Sequence, residues 1–307
     1  MAAAAATAVL LVACGGTSTG GPSAAPRAAH PAAPVPAAVL EGLSVALSQS
    51  RSDWADRVVQ VDVTDDGASA VEVVGVTLTA PTFSGQAVGE RGRTVRPGTT
   101  RAVSVALGAP VCATAAASEP AAAASVTLLV RDEQGRESRL TLEPQDPRGH
   151  LARIHGEDCA AASVARGARL TVDDALDVQQ SDGRLVAALT VRLLPVEGGP
   201  AVRVEQIDGS VLLAPPDGPA WSPSDLATDL ATDLADDPGS TADERTAVLT
   251  FEPARCDAHA VAEDKRGTFL GVHATVDGVP VPVFYLPVTT QVRGQIHEYI
   301  GQACGWA

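Results

Sequence analysis

Two pairs of cysteines constrain this chain most. Cys112 and Cys159 stand 47 residues apart, and Cys256 and Cys304 stand 48 apart. Each interval follows an apolar alternating run and contains a strand pair, then a short helix-like stretch ending in cysteine. Four cysteines allow three pairings. A repeated order favours Cys112–Cys159 and Cys256–Cys304, one staple per copy of a duplicated unit. In the chain-entropy model each bridge of this loop length contributes roughly 4 kcal/mol.

The duplication extends beyond the cysteines. Residues 45–63 (VALSQSRSDWADRVVQVDV) match 176–193 (LDVQQSDGRLVAALTVRL) in pattern and turn. The strand pattern of 71–81 matches 202–215, and 100–112 matches 246–256. Alternating apolar residues such as Val59, Val61 and Val63 predict half-buried strands. Asp65-Asp66-Gly67, Arg96-Pro97-Gly98-Thr99, Asp132–Gly135 and Asp277-Gly278 are turn signals. Closing helices are expected over 147–159, starting at Pro147, and over 288–304, where Val292, Ile296, Tyr299 and Ile300 keep helical spacing. Many short strands with Gly/Pro turns predict an all-β chain: two tandem antiparallel β-sandwich units, 43–160 and 161–307. The Pro-Gly-Thr turn before an alternating strand resembles bacterial immunoglobulin-like domains. That resemblance leaves the strand order open, since these cysteines are not placed as that family's central bridge.

The fifth cysteine belongs to other chemistry. Residues 1–13 (MAAAAATAVLLVA) form an apolar run too short to span a bilayer. Leu11-Val12-Ala13-Cys14 is similar to a bacterial lipobox, and a Gly/Ser/Ala/Pro-rich tether follows over 15–42. With 21 Arg against the single Lys265 and abundant Ala, the chain resembles exported actinobacterial lipoproteins. The leader departs from that pattern by carrying no Lys or Arg. The resemblance implies lipidation at Cys14, an extracytoplasmic location on the outer face of the cytoplasmic membrane, and a membrane partner reached through the lipid. An oxidising compartment also favours disulfides over the rival zinc set of Cys256, His259, His297 and Cys304.

The net charge of −15 argues against nucleic acid as a partner. Residues 43–159 carry 15 acids and 11 bases; residues 160–307 carry 21 and 10. Catalytic motifs fail on single residues. The only lysine has Ala262 three places before it, not a serine. His297-Glu298 lacks its second histidine because Gly301 stands there. Asp62, Thr64, Asp66 and Gly67 open like a calcium loop, but position twelve is Val73. Aromatics are only 3% of the chain, which disfavours a sugar platform. The expectation is a non-enzymatic lipoprotein without catalytic residues, metal or cofactor, displaying two β-units to a protein or envelope component. The alternative is a small-molecule or metal-ion site between the units.

The candidate binding residues are Trp221, Trp306, Asp225, Asp229 and Asp233, with Trp54 more simply read as packing. Residues 224–237 (SDLATDLATDLADD) form a tetrapeptide repeat within an acidic insertion, 216–245. As a helix it would stack Asp225, Asp229 and Asp233 on one face and Leu226, Leu230 and Leu234 on the next. Like charges at that spacing repel, so the plainer reading is an acidic loop.

Overall fold

A computed structural model describes residues 33–89, 92–112, 123–229, 244–263 and 265–306. The first half contains α1 (Ala37–Leu40), β1 (Leu43–Ser48), β2 (Val58–Asp65), β3 (Val71–Thr79), β4 (Ala87–Gly89), β5 (Arg93–Val95), β6 (Thr99–Ala106), β7 (Ser125–Arg131), β8 (Glu137–Leu142) and α2 (His150–Ala165). The second contains β9 (Ala168–Val172), β10 (Asp177–Ser181), β11 (Arg184–Pro195), β12 (Val202–Asp208), β13 (Leu213–Ala214), β14 (Ala220–Trp221), β15 (Arg245–Pro253), α3 (Ala258–Glu263), β16 (Phe269–Val276), β17 (Val279–Pro280), β18 (Phe284–Pro287) and α4 (Thr290–Ala303).

The strand order repeats. In the first half a β1-β2-β6 sheet accompanies a β4-β3-β7-β8 sheet, with β5 also on β3. In the second, β10-β11-β15-β13 accompanies β14-β12-β16-β17, with β9 also on β11 and β18 on β16. All these ladders are antiparallel. Each half is therefore an antiparallel β-sandwich of two small sheets. Cys112–Cys159 and Cys256–Cys304 each tie the loop after the third ladder strand to the closing helix.

A second shared signature is a β-bulge. The register slips between Val73 and Gly75 in β3, and between Val204 and Gln206 in β12. An extra residue flips the side-chain phase. Burial passes from Val71 and Val73 to Val76 and Leu78, and from Val202 and Val204 to Ile207. Without the bulge the later residues of each strand would point apolar side chains outward.

The two cores are separate. One gathers Val45, Val61, Val76, Val105, Leu128 and Ile154; the other gathers Leu189, Ile207, Phe251, Val272, Ile296 and Tyr299. Helix α2 contributes to both, Ile154 to the first and Ala160 and Val164 to the second. Residues Pro34–Ala307 consequently form one compact unit.

Three local expectations need correction. Helix α2 starts after Pro147 and runs past 159: its N-cap is Gly149 (φ 60°), and Asp146, three residues further back, accepts hydrogen bonds from the backbone N–H of His150 (2.8 Å) and Leu151 (3.0 Å). The tether is shorter than 15–42. Val35 is buried, its N–H donates to Ser138 Oγ at 2.8 Å, and Val39 and Leu40 pack on the first core. The described part of the tetrapeptide repeat, 224–229, is irregular, as the loop reading has it, but it is anchored rather than loose. Leu226 is buried, and Ala227 bridges to Arg203 on β12, because an apolar residue beside an open strand gains more from the core than from a helix of repelling acids.

Candidate functional site at the seam

The halves meet at a loop in which the copies differ. Between β10 and β11 the chain turns in two residues, Asp182 (φ 50°) and Gly183 (φ 78°). The equivalent connection between β1 and β2 is a longer loop, residues 49–57. Gln60 shapes this loop: its Oε1 accepts from Ser50 N–H at 2.9 Å and its Nε2 donates to Asp53. Helix α2 clamps both ends. Arg153 donates to Gln49 Oε1 at 2.5 Å, and Arg57 pairs with Glu157 (3.1 Å) and Asp158. Arg153 also pairs with Glu157 at 2.7 Å, so that buried carboxylate is neutralised from two sides.

The loop delivers Trp54 to the second half. Only 4% of its surface is exposed, yet it joins neither core. Its ring stands edge-on to Phe269 (4.9 Å) and Tyr285 (4.7 Å). The Arg266 guanidinium lies 4.1 Å from the Trp54 centroid and 5.0 Å from that of Tyr285. Each such aromatic contact contributes roughly 0.5–1.5 kcal/mol beyond area burial. Trp54, Phe269 and Tyr285 are three of the nine aromatic residues in the chain.

Beside this cluster lies a cavity of about 640 Å³. Its floor follows from strand register. Leu270, Val272 and Ala274 of β16 point into the core, so Phe269, Gly271 and His273 share the opposite face. Tyr285 on β18 is opposite Gly271, and Gln206 on β12 is opposite His273. Asp208, at the end of β12, lies over Gly271, where an added Cβ would meet its Oδ2 at 3.0 Å. The missing side chain makes room for that carboxylate. Asp208 accepts from Gln206 Nε2 at 2.7 Å and lies 2.9 Å from His273 Nε2. Ser210 Oγ donates to Gly267 O at 2.7 Å and accepts from the N–H groups of Leu212 and Leu213, joining the two loops that form the rim. Arg51 comes from the first half; Lys265 and Arg266 come from the second. Among the described residues, none of these three cations is paired with a carboxylate.

The residues singled out from sequence are scattered. Trp221 is half-buried, donates from Nε1 to Thr250 O at 2.8 Å and stands edge-on to Phe251. It shares a shallow groove of about 690 Å³ with Asp225. Asp229 is elsewhere, held by Arg203 at 2.8 Å. Trp306 is 41% exposed beyond α4. Cys14 and Asp233 lie outside the described residues. Among the described residues, the one cluster of three potential metal ligands is Cys112, His155 and Cys159, not the second-half set, and both of its sulfurs are in the disulfide. No described helix is long and apolar enough to cross a membrane.

The seam residues were missed because the groups that meet are distant in sequence: Asp208 and His273 are 65 residues apart. Two signals were present, a glycine inside a strand at Gly271 and a Lys265-Arg266 pair in the more acidic half.

No family model and no curated protein matches the chain. Among solved structures, red sea bream transglutaminase aligns over 81% of this chain and 31% of its own, at 10% identity and TM-score 0.21. An exo-chitosanase of Amycolatopsis orientalis aligns over 79% and 26%, at 14% identity and TM-score 0.15. The chain spans under a third of either neighbour, and likenesses this slight carry no argument about activity.

Proposed function

We propose that this chain is a non-enzymatic, lipid-anchored extracytoplasmic binding protein that takes its ligand at the seam between its two β-sandwich halves. One observation supports the reading: residues from both halves line a single cavity whose cations have no carboxylate partner among the described residues. A site of several hundred Å³ with a few convergent polar groups on an aromatic wall is the usual form of a small-ligand site. Anchorage rests on the Leu11–Cys14 segment and its tether. The test is a thermal-shift screen of the full chain against small molecules, because a ligand for the native state raises apparent stability by mass action. A stabilising ligand should lose its effect in Arg51→Gln and Lys265→Gln; stabilisation unchanged by either contradicts the seam reading. For the anchor, Cys14→Ser should release the protein from membranes.

The second reading, display to an envelope protein, is favoured by Trp306, which is exposed at the end of the second half. Cross-linking in cells should capture one dominant partner that Trp306→Ala loses. A deletion testing the acidic insertion must begin after Asp229, since removing Leu226 damages the core.

A further inference from the structure

We infer that the seam ligand is an anionic sugar, a polyhydroxylated ring carrying a phosphate or a carboxylate. The inference rests on the seam reading and names the chemistry of that site. Three features converge.

First, Arg51, Lys265 and Arg266 line the cavity without carboxylate partners among the described residues, in a chain of net charge −15. Unpaired cations focus an anion where the rest of the surface repels it. Arg266 is also preorganised. Trp54 and Tyr285 both lie within cation–π reach of its guanidinium, so little side-chain freedom is lost when its planar fork meets a phosphate or carboxylate.

Second, the same cavity also holds an acceptor. The Asp208 carboxylate lines it while engaged by Gln206 and His273. A carboxylate accepts hydrogen bonds from hydroxyl groups and repels a bare anion. A site that offers both cations and the Asp208 carboxylate prefers a ligand having both an anion and hydroxyls over inorganic phosphate.

Third, Phe269 and Tyr285 give the cavity an apolar wall, and Gly271 lets the Asp208 carboxylate lie low beside it. The ring carbons of a sugar can lie against such a wall. The scarcity of aromatics across the whole chain is thus offset by their concentration here.

The chemistry could come from a free sugar phosphate or from the end of an anionic polysaccharide. Calorimetric titration of the full chain should use glucose 6-phosphate, glucuronate, glucose, inorganic phosphate and a short oligogalacturonate. The expected result is binding of glucose 6-phosphate or glucuronate at least about tenfold tighter than of glucose or inorganic phosphate. Tighter binding of the oligomer would assign the site to a polymer end, and tighter binding of the monomers to free sugars. Arg51→Gln with Lys265→Gln, both exposed positions, should weaken binding about tenfold and flatten its salt dependence. Asp208→Asn should narrow the preference for sugar phosphate over inorganic phosphate. Glucose binding as tightly as the anions, with loss on Tyr285→Ala, overturns the anionic class and leaves the seam site standing. Inorganic phosphate matching glucose 6-phosphate overturns the sugar. Anionic-sugar binding indifferent to every seam variant overturns the seam site itself. No binding of any probe up to about 10 mM overturns the proposal.

Discussion

The two halves share a strand order, a β-bulge, a disulfide position and a closing helix, yet differ at nearly every loop. The first half spends nine residues, 49–57, where the second turns in two. The second half carries the rim loops of the cavity. Its Gly271 lies on β16, whereas the corresponding β7 reads SVTLLVR with no glycine. The duplicated part is scaffold. Core positions are bound by packing and repeat; loops and outward faces are free to diverge, and the site arises where unlike loops meet.

Trp54 joins the unlike loop of the first half to the second. Trp54→Ala should cost about 3–5 kcal/mol. It should also split a single urea transition into two, since the halves would share only α2. One unsplit transition at the wild-type midpoint would show that the seam does not couple them.

Leu226 tests the difference in insertions. Leu226→Ala should cost about 2–5 kcal/mol, whereas Asp229→Asn, which loses only an exposed pair with Arg203, should stay within about 1 kcal/mol. Thermal unfolding of the two variants checks the ranking. Equal small effects would return the whole repeat to a loose acidic loop.

Tyr299 makes the second half the alkali-sensitive one. Burial first, and the nearby Glu252 carboxylate second, push its phenol up to about 12. Its ordinary value is about 10. Below that, folded and unfolded states both hold the proton, and the stabilisation is complete. As pH rises towards the folded value, the unfolded chain releases its proton while the folded one keeps it, so stability falls by at most about 1.4 kcal/mol per pH unit. Tyr299→Phe should be less stable at neutral pH, lacking the hydrogen bonds to Leu185 O and Phe251 O, but should lose less between these pH values. Parallel curves in denaturant titrations would contradict this account.

The smallest effect separates the two disulfides. Their cysteines have matching exposure, but His155 Nε2 lies 3.3 Å from Cys159 Sγ, and the second bridge has a backbone carbonyl, Arg255 O, at 3.8 Å. An imidazole beside the sulfur stabilises a departing thiolate, which speeds exchange. Dithiothreitol should therefore open Cys112–Cys159 first, by a factor of about ten, and His155→Gln should remove the order. Mass spectrometry of alkylated peptides reads it directly.

Sequence reading reached the scaffold because repetition exposes it. The paired spacings of Cys112–Cys159 and Cys256–Cys304, and the alternation through Val59, Val61 and Val63, report periodic constraints that survive in one chain. The bulges were harder to see, since a phase slip at Val74 or Glu205 looks like a weak strand until register is known. Trp54 illustrates what stayed hidden. Its residue type suggested packing, but which surface it packs on depends on a loop crossing to strands more than 200 residues later. The cavity was less legible still, because Arg51, Asp208 and Lys265 converge only through the join between halves.

Native-state hydrogen exchange on the full chain tests the central claim most directly. If the seam joins the halves into one unit, the most protected amides of β2 and β7 should open with the same free energy as those of β11 and β16, and Trp54→Ala should drive the two sets apart. Two distinct opening energies in the wild-type protein, unchanged by Trp54→Ala, would contradict it.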